Sequence, residues 1–381
     1  MLKYSLGLDI SSKKFDACIS VIDLQQIVKV KATSSFTNNL SGFKKLDEWI
    51  SKHYNTPEIP LTICMEATGV YYEGCALYLY HRHYKVAVIL PNKAKKYLQS
   101  LGFKSKNDAI DAKGLAQMGA EQNLKLWEPL GNFYYTLRAM TRQHQSLQET
   151  KTGLKNQLHA LKFGMYRIPL VEKQIEKTIK LIDKQIEVID TSIQLHIQGN
   201  EFVHSQVQNI LKIKGIGYNT VATIIAETNG FILFENAKQL VSYAGYDVIE
   251  NQSGKHIGKT KISKKGNSRI RRALFMPAFT VVKYKQKPFI NLYERTLARH
   301  NIKMKSYVAV QKKLLTTIYA LWKNETPYDA NYNQKVIFLE KEQVESSVLS
   351  FEKTLKENSP AQGRTIQGKH SSKNRSMSPL C

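Results

Sequence analysis

Residues 4–21, YSLGLDISSKKFDACISV, decide the fold of the amino-terminal part of this chain. Two strand-like runs, YSLGLDI and DACISVI, flank a short polar segment, and this pattern predicts a β-hairpin. An acid, Asp9, lies near the end of the first run. Further strand-like runs, IPLTICME and YKVAVIL, stand among helical segments, FKKLDEWISKHY and GCALYLYHRH. The mixture predicts an α/β domain.

Three more acids follow Asp9 in a characteristic order. Glu66 ends the apolar run in LTICMEATGVYYE, and Asp108 and Asp111 open a predicted helix in KSKNDAIDAKGLA. Residues three apart on a helix share one face, so the last two carboxylates project together. If the helix packs across the ends of neighbouring strands, the four carboxylates converge. We therefore predict a site for two divalent ions, Mg²⁺ or Mn²⁺, about 4 Å apart, because such ions prefer hard oxygen ligands.

Each acid taken singly also has an ordinary structural explanation. The helix dipole alone favours acids such as Asp108 and Asp111 in a first helical turn. Asp9 fits a turn at a strand end, and Glu66 fits a solvated loop. The ordered set of four on a strongly basic chain is what favours the metal site.

The charge of the chain indicates its partner. Its 381 residues include 56 Lys or Arg and 31 Asp or Glu, which gives a formal net charge of +25. This excess favours a polyanion, most simply nucleic acid. A membrane is not expected, because no run of about 18 apolar residues is present. The amino terminus lacks a signal-peptide pattern and the four cysteines form no CxxC pair, so we expect a cytoplasmic protein without a zinc site or disulfide framework.

Residues 129–200 change to a pattern of long helices. Apolar residues recur at helical spacing in two stretches separated by Pro169. The pattern predicts an antiparallel helical hairpin or a coiled coil. Two interpretations stay open, a spacer within one chain and the seam of a dimer. The apolar positions are Leu137, Met140, Leu147, Leu154, Leu158 and Leu161, then Ile175, Ile179, Ile182, Ile186, Ile189 and Ile193.

Residues 209–227, NILKIKGIGYNTVATIIAE, place Gly215 and Gly217 between two short amphipathic helices. Glycines let the turn approach another backbone closely, and the second helix offers free N–H groups to a phosphate. Lys212 and Lys214 add positive charge. The stretch resembles a helix-hairpin-helix motif, which holds the DNA backbone without reading its sequence. An ordinary helix connection that contains glycine is the alternative.

A basic stretch carries a candidate nucleophile. Ser253 precedes Gly254, a pairing that allows an exposed hydroxyl, and no acid occurs from Gly254 to Leu274. A serine hydroxyl is a weak nucleophile unless a neighbour lowers its pKa or accepts its proton, and cations and a metal-bound phosphate supply such help. On chemistry alone, a solvated basic loop with Ser253 as a turn residue is favoured. The cations are Lys255, Lys259, Lys261, Lys264, Lys265, Arg269, Arg271 and Arg272.

Composition predicts four parts along the chain: 1–128, α/β; 129–200, helical; 201–330, mainly helical with the hairpin and Ser253; and 331–381, a tail. The tail loses its apolar periodicity and ends in KENSPAQGRTIQGKHSSKNRSMSPLC. Its Ser, Lys, Gly and Pro content predicts that it is largely disordered.

In order over residues 4–325, these motifs resemble the DEDD transposases related to the Piv DNA invertase. The resemblance rests on GLDISSKKFDA, MEATGVYYE, KNDAIDAKGLA and, after the helical hairpin, YAGYDVIENQSGKHIGKTKISKKGNSRIRRAL. Junction resolvases share the acidic motifs loosely, whereas a Ser-Gly pair followed by K-x-G-N-x-x-x-R-R is much narrower. The chain after about residue 335 lies outside the matched pattern.

The resemblance implies a RuvC-like amino-terminal domain of the ribonuclease H fold. It assigns the DEDD positions to Asp9, Glu66, Asp108 and Asp111, and the serine to Ser253. It also implies a site composed from two protomers, a phosphoserine intermediate and a tetrameric complex. Some members use a bridge RNA that pairs with donor and target DNA. The expected partners are therefore the DNA of the element ends and target, further copies of the chain as a dimer or tetramer, and a bridge RNA.

Two other functions stay open. A RuvC-like junction resolvase or nuclease needs the four acids but not Ser253, and a non-enzymatic nucleic-acid scaffold binds without metal dependence. The presence of all four acids and of the Ser-Gly pair disfavours the scaffold. The residues expected to contact nucleic acid are Lys212, Lys214, Gly215, Gly217, Lys255, Lys264, Lys265, Asn267, Arg269, Arg271 and Arg272.

Overall fold

A computed structural model describes residues 1–102, 107–250, 252–253, 256–258 and 260–332 of the chain. The chain divides into two compact units, Met1–Leu130 and Gly131–Cys381. The predicted division into four parts was made on composition and stays a prediction. The tail from residue 333 onward, for which we predict disorder, lies outside the described residues.

The first unit is an α/β domain, as the strand and helix patterns predict. The predicted hairpin forms, and a third strand follows it that the prediction missed. The elements are β1 (Lys3–Ile10), β2 (Lys14–Ile22), β3 (Val28–Thr37), α1 (Leu40–His53), β4 (Leu61–Glu66), α2 (Glu73–His81), β5 (Lys85–Ile89), α3 (Pro91–Ser100) and α4 (Asp108–Glu121).

One mixed sheet organises this unit. Its strands lie in the order β3-β2-β1-β4-β5. β2 pairs antiparallel with β1 and β3, whereas β4 lies parallel to both β1 and β5. The carboxyl ends of β1, β4 and β5 therefore meet at one edge of the sheet.

The two faces of the sheet have different cores, because successive side chains on a strand alternate between faces. Leu6 and Leu8 of β1 belong to a large apolar cluster with Leu46 of α1 and Leu79 of α2. The opposite face carries smaller residues. Cys18 of β2 packs there with residues of α4. The small side chains let α4 approach the sheet closely.

The second unit is mainly helical. In the described part of this unit, a long helical pair precedes shorter helices and two small antiparallel strand pairs, one formed by the first and last of four short strands and one by the middle two. The elements are α5 (Asn132–Lys162), α6 (Pro169–Gln198), α7 (Glu201–Leu211), α8 (Tyr218–Glu227), α9 (Ala237–Tyr243), β6 (Val248–Ile249), β7 (Gln252–Ser253), β8 (His256–Ile257), β9 (Lys261–Ile262), α10 (Ser268–Ala273), α11 (Phe275–Lys283), α12 (Lys287–His300) and α13 (Lys303–Asn324).

The two long predicted helices form an antiparallel pair within one chain. Lys162 contacts Glu176 near the connection, and His144 contacts Asp190 farther along both helices. Four of the predicted apolar positions of α6 are buried, Ile179, Ile182, Ile186 and Ile193. The two helices therefore pack against each other within one chain. A dimer that uses the same region stays a prediction.

The core of the second unit lies beyond the helical pair. Phe231, Trp322 and Phe289 are among its largest buried side chains, and they bring the segment after α8 together with α12 and α13. In the part of the chain that the structure describes, no helix is long and apolar enough to cross a membrane.

Candidate active site

The position of α4 is set by close contacts with β1. A Cβ atom on Gly7 would collide with the backbone of Ala112 and Ala116, and one on Gly119 would collide with the side chain of Ser5. Glycine is therefore required where helix and strand touch. Successive contacts run from Ser5 with Gly119 to Gly7 with Ala112. The first turn of α4 thus lies toward the carboxyl end of β1, where Asp9 stands two residues after Gly7.

Sheet register brings Asp9 beside two other acids. Asp9 is paired directly across the hairpin with Asp16 of β2. The parallel register of β1 and β4 pairs Leu8 with Met65, so the next residue of each strand is Asp9 and Glu66. Alternation along the strands then directs all three acids to the face that α4 covers.

The remaining two acids lie in the first turn of α4, as predicted. The helix begins after Asn107, whose side-chain oxygen accepts a hydrogen bond of 2.8 Å from the backbone N–H of Ile110. This cap fixes the start of the helix. Asp108 and Asp111 follow in its first turn.

Electrostatics shows that the acids share one site. Burial, together with the negative charges of Asp111, Asp108, Glu66 and Asp16, raises the pKa of Asp9 to about 6. A carboxyl group that loses water and gains like-charged neighbours holds its proton more tightly. All four predicted acids therefore contribute to one electrostatic group.

Sequence reasoning missed two members of this group, Asp16 and Lys14. The Lys14 ammonium lies 3.3 Å from Asp16 and 3.4 Å from Asp108. Those two carboxylates raise the pKa of Lys14. The hairpin pattern contained a signal for Asp16, because a short turn after β1 places it opposite Asp9.

The donor atoms suit a hard divalent cation, but the acids are not arranged as a finished site. Among the described residues, no three His, Cys, Asp or Glu side chains are placed to hold a metal ion. Carboxylate oxygens are preferred ligands of Mg²⁺. A cation would relieve the repulsion that raises the pKa of Asp9. The acids therefore fit such an ion in the chemistry of their donor atoms.

The predicted nucleophile lies in the second unit on a small hairpin. Ser253 ends β7 and is paired with His256 of β8. Ser253 is exposed. Gly254, Lys255 and Lys259 lie outside the described residues. The hairpin places Ser253 directly before the connection of its two strands.

Asn267 is anchored by an acid that sequence reasoning missed, Glu227 at the end of α8. The Glu227 side chain is 1% exposed and accepts hydrogen bonds of 2.7 and 3.0 Å from Arg142 of α5. It also accepts one of 2.8 Å from the amide of Asn267. The Asn267 side-chain oxygen in turn caps α10, accepting from the N–H groups of Arg269 and Ile270. Glu227 therefore fixes where the basic helix begins.

Burial raises the pKa of Glu227, but the hydrogen bonds from Arg142 and Asn267 and the arginine charges outweigh burial. The net result is a lowered pKa. The sequence around Glu227 does not predict that it anchors Asn267, because its partners Arg142 and Asn267 lie 85 and 40 residues away in the chain.

The other predicted nucleic-acid contacts divide by environment. Lys264, Lys265, Lys212 and Lys214 are exposed. Arg271 donates to the backbone oxygens of Ala244 and Gly266, so it ties the loop before α10 together.

The predicted helix-hairpin-helix region consists of α7 and α8 joined by residues 212–217. Gly215 has φ +108°, and a Cβ there would lie 3.0 Å from the backbone nitrogen of Val281 in α11. Packing thus accounts for this glycine. Gly217 is exposed and precedes the first turn of α8. The use of this connection to grip DNA stays a prediction.

Comparison with known families matches both units. Residues 6–162 match a transposase family model of the DEDD IS110 type. Residues 207–294 match the model of the transposase IS116/IS110/IS902 family.

Two of the most similar curated relatives are the pilin gene-inverting proteins of Moraxella bovis and Moraxella lacunata. Each is 31% identical over 336 residues, which cover 88% of this chain and 100% of the relative. A probable family 20 transposase of Pseudomonas aeruginosa is 21% identical over 59% of this chain and 72% of its own length. Among solved structures, Thermus thermophilus RuvC in complex with a Holliday junction substrate is 11% identical, with a TM-score of 0.25, over 31% of this chain and 93% of that chain.

Both matched models describe transposases, and this class of protein is a DNA recombinase or transposase enzyme. The chain belongs to the family of IS110-type DEDD transposases that includes the pilin gene-inverting proteins. The family expected from the sequence motifs is confirmed.

Proposed function

We propose that this protein cuts and rejoins the DNA of a mobile element, with a divalent metal ion held by Asp9, Glu66, Asp108 and Asp111 and with Ser253 as the nucleophile. The observation that supports the proposal is that the sheet register and the first turn of α4 bring these acids close together. Burial and the charges of the neighbouring acids, including Asp16, raise the pKa of Asp9 to about 6. Repulsion among acids that two strands and one helix bring together lowers the free energy of unfolding. Binding of a cation offsets that cost.

The order and directions of the strands in the sheet support a catalytic domain of the ribonuclease H or RuvC type. Three antiparallel strands are followed by two parallel ones, and α4 crosses the face that carries the acids. The bound ion, Mg²⁺ or Mn²⁺, would polarise the scissile phosphate and stabilise charge on the leaving oxygen. The acids of this chain would hold that ion, and Lys14 would add positive charge beside Asp108.

Ser253 would supply the bond that preserves the energy of the cut strand. Its oxygen attacks phosphorus as one phosphodiester bond breaks, its proton passes to a base, and the leaving oxygen of DNA gains a proton. A DNA hydroxyl then attacks the phosphoserine and restores the serine. The number of phosphoester bonds is unchanged, so rejoining requires no ATP.

Several partners belong to the same proposal. The exposed lysines and the connection between α7 and α8 would contact the DNA backbone, and a bridge RNA would pair with donor and target DNA. An oligomer of two or four copies is supported by exposed apolar residues spaced seven apart on α6. They are Leu181, Val188 and Leu195, at 56%, 66% and 62% exposure.

Junction sequencing tests the proposal. The gene with its native flanking DNA is expressed as wild type, Ser253→Ala and Asp9→Asn, and excised circles and new insertion junctions are counted. We expect wild-type junctions to fall by more than about a hundredfold in both variants, because loss of about 3 kcal/mol of transition-state stabilisation has that effect.

Ser253 is exposed, so its alanine variant should fold and bind DNA as wild type does. Ser263→Ala, in the same basic stretch, is the matched control and should retain junctions. Junctions that persist in Ser253→Ala but vanish in Asp9→Asn would replace the serine mechanism with hydrolysis at the acids alone.

A further inference from the structure

A groove of about 210 Å³ opens on the second unit between α5, α8 and α10. Its walls come from three segments far apart in sequence, so packing of the folded unit creates it. The lining residues include Gln145 of α5, Asn219 and Thr223 of α8, and Arg269 and Arg272 of α10. Among the described residues, polar and charged side chains make up most of its lining, with Ala273 and the methyl groups of threonines beside them.

Two arginines dominate the charge of the groove. The Arg269 side chain is 41% exposed and the Arg272 side chain 54% exposed. Nε of Arg269 is buried without a hydrogen-bond partner, and it lies 4.0 Å from a Glu227 oxygen, beyond hydrogen-bonding reach. Arg272 pairs with the exposed Glu149 of α5. Guanidinium groups bind phosphate through paired N–H donors, and both groups are present here on one short helix.

Two other residues that line the groove are held by Asp190 of α6. One Asp190 oxygen accepts a hydrogen bond of 2.7 Å from the amide of Asn219 and lies 3.2 Å from Nε2 of His144. The amide and the imidazole both line the groove. Asp190 therefore orients these two polar groups before any ligand arrives, which lowers the entropy cost of binding.

The arginine wall is also held in advance. Asn267 caps α10, and Glu227 fixes Asn267. Arg142 makes a bidentate ion pair with Glu227, so the negative charge behind Arg269 is largely offset. Glu149 is the acid that competes directly for the groove, because it pairs with Arg272 at the surface. Exposed ion pairs contribute little to stability, so a phosphate can displace it at small cost.

We propose that this groove binds a backbone phosphate of the DNA strand, which Arg269 and Arg272 grip from α10 while Glu149 is displaced from Arg272. The inference rests on the proposed function, because it assigns a binding site for the backbone of the DNA that takes part in that reaction. It assigns α5, the first long helix, to the DNA-binding surface. It also gives Glu149 the role of a competitor for the phosphate.

The test measures binding of full-length protein to a duplex of about 20 base pairs and arbitrary sequence, by fluorescence anisotropy over a range of salt concentrations. Each neutralised phosphate contributes about 0.9 to the slope of log affinity against log salt. We expect Arg269→Gln and Arg272→Gln each to lower the slope by about 1 and to weaken binding about three- to tenfold. Arg272→Gln keeps the test informative if Arg269→Gln fails to fold, since Arg272 is the more exposed.

Arg299→Gln is the matched control for charge. Arg299 is exposed on α12, which does not line the groove, and the variant loses the same single positive charge. Its slope should change by less than about 0.3, because charges beyond a Debye length are largely screened. Equal slope losses in Arg299→Gln and Arg272→Gln would overturn the proposal in favour of diffuse attraction to the basic surface.

Glu149 provides a test of opposite sign. Glu149→Gln removes the competitor for Arg272 and should tighten duplex binding about two- to fivefold, the range expected for an exposed ion pair. Glu176→Gln is its control, because Glu176 also forms an exposed ion pair, with Lys162, on the same helical pair. If both variants tighten binding equally, Glu149 does not compete at the groove and the proposal fails.

Two further arms identify the ligand. Single-stranded RNA of the same length and inorganic phosphate at matched ionic strength replace the duplex. The proposal is overturned if the arginine variants affect only RNA, or if inorganic phosphate displaces the duplex at equal phosphate concentration.

The proposed function fails separately from the groove. Unchanged slopes in both arginine variants, with wild-type junctions present, refute the groove and leave the recombinase. Normal slope losses, with wild-type protein that forms no junctions on its native element, support the groove and count against the recombinase.

Discussion

Asp9 in the first unit and Glu227 in the second are both withdrawn from solvent, yet their surroundings act on them in opposite ways. Other acids surround Asp9, and its pKa rises to about 6. Two arginines and an amide surround Glu227, and its pKa falls despite burial. The acids around Asp9 repel one another, although Lys14 contacts Asp16 and Asp108. Around Glu227, hydrogen bonds and charges of opposite sign largely offset the negative charge.

This difference distinguishes a candidate ligand-binding site from a residue with a structural role. Repulsion among like charges in a fold is costly, so a cluster of acids is a candidate site for a ligand of opposite charge. A compensated buried acid holds neighbouring elements in a fixed geometry. On this basis we propose that Asp9 helps to bind a cation, whereas Glu227 positions the start of α10 through Asn267.

The largest expected effect on stability comes from Glu227→Gln. Removing the charge removes the partly buried ion pair between Glu227 and Arg142, so the free energy of unfolding should fall by about 2 kcal/mol. That is less than for a fully buried pair, because Arg142 is 39% exposed. Urea unfolding of the full chain measures the loss.

Glu187→Gln, at an exposed position of α6, is the control and should stay within about 0.5 kcal/mol of wild type. Asp9→Asn in metal-free buffer should instead stabilise, because it removes repulsion. If Glu227→Gln is as stable as wild type, Glu227 is not a structural anchor and the comparison fails.

The pH dependence of unfolding should differ in sign between the two sites. The pKa of Asp9 in the folded protein, about 6, lies above its unfolded value of 3.8. The contribution of Asp9 to the free energy of unfolding is therefore fully present below about pH 4 and is lost as pH rises through about 6. As pH rises from about 4 to above about 6, the free energy of unfolding of Asp9→Asn should come to exceed that of wild type by about 1–2 kcal/mol in the presence of a chelator. The gain is less than the full shift would give, because solvent screens a partly buried group.

Glu227 should show the reverse. Its folded pKa lies below its unfolded value of 4.5, so its contribution is intact above that value and is lost as pH falls through the folded pKa. The advantage of wild type over Glu227→Gln should therefore shrink below about pH 4.5. Unfolding of wild type and both variants between pH 3 and 7 checks the two signs, and parallel profiles would contradict the assignment.

The smallest effect concerns Lys14, whose ammonium contacts Asp16 and Asp108. A cation entering the site has to share these acids with Lys14. We expect Lys14→Gln to raise the apparent affinity for Mg²⁺ about two- to fivefold, as befits an exposed contact. Calorimetric titration at constant ionic strength measures the change.

Lys52→Gln, at an exposed position of α1, is the control and should leave Mg²⁺ binding unchanged. Weaker binding in Lys14→Gln would mean that Lys14 organises the acids rather than competing for them.

Much of the first unit is predictable from the sequence alone. Alternation marked β1, β2, β4 and β5, and Asp108 and Asp111 were placed correctly in a first helical turn. β3 was overlooked although VKVKATSSFT alternates in part, because an edge strand with one polar face resembles a loop. Asp16 was overlooked because the hairpin was predicted without its register.

The second unit was less predictable. Spacing of the isoleucines in α6 predicted a helical pair, and Lys162 with Glu176 shows its antiparallel sense. Spacing does not say whether the partner helix belongs to the same chain. Gly215 was assigned to DNA binding, whereas its close approach to Val281 gives it a packing role that no local pattern shows.

By itself, the sequence determined the order of the four acids, the Ser-Gly pair and the positive charge, because these are properties of residues and of short repeats. Only the tertiary structure decided what surrounds each charge. Register set Asp16 beside Asp9, and helix packing brought Arg142 to Glu227 and α5 to Arg272. A pKa depends on distance and burial, and both arise only when segments far apart in the chain are packed together.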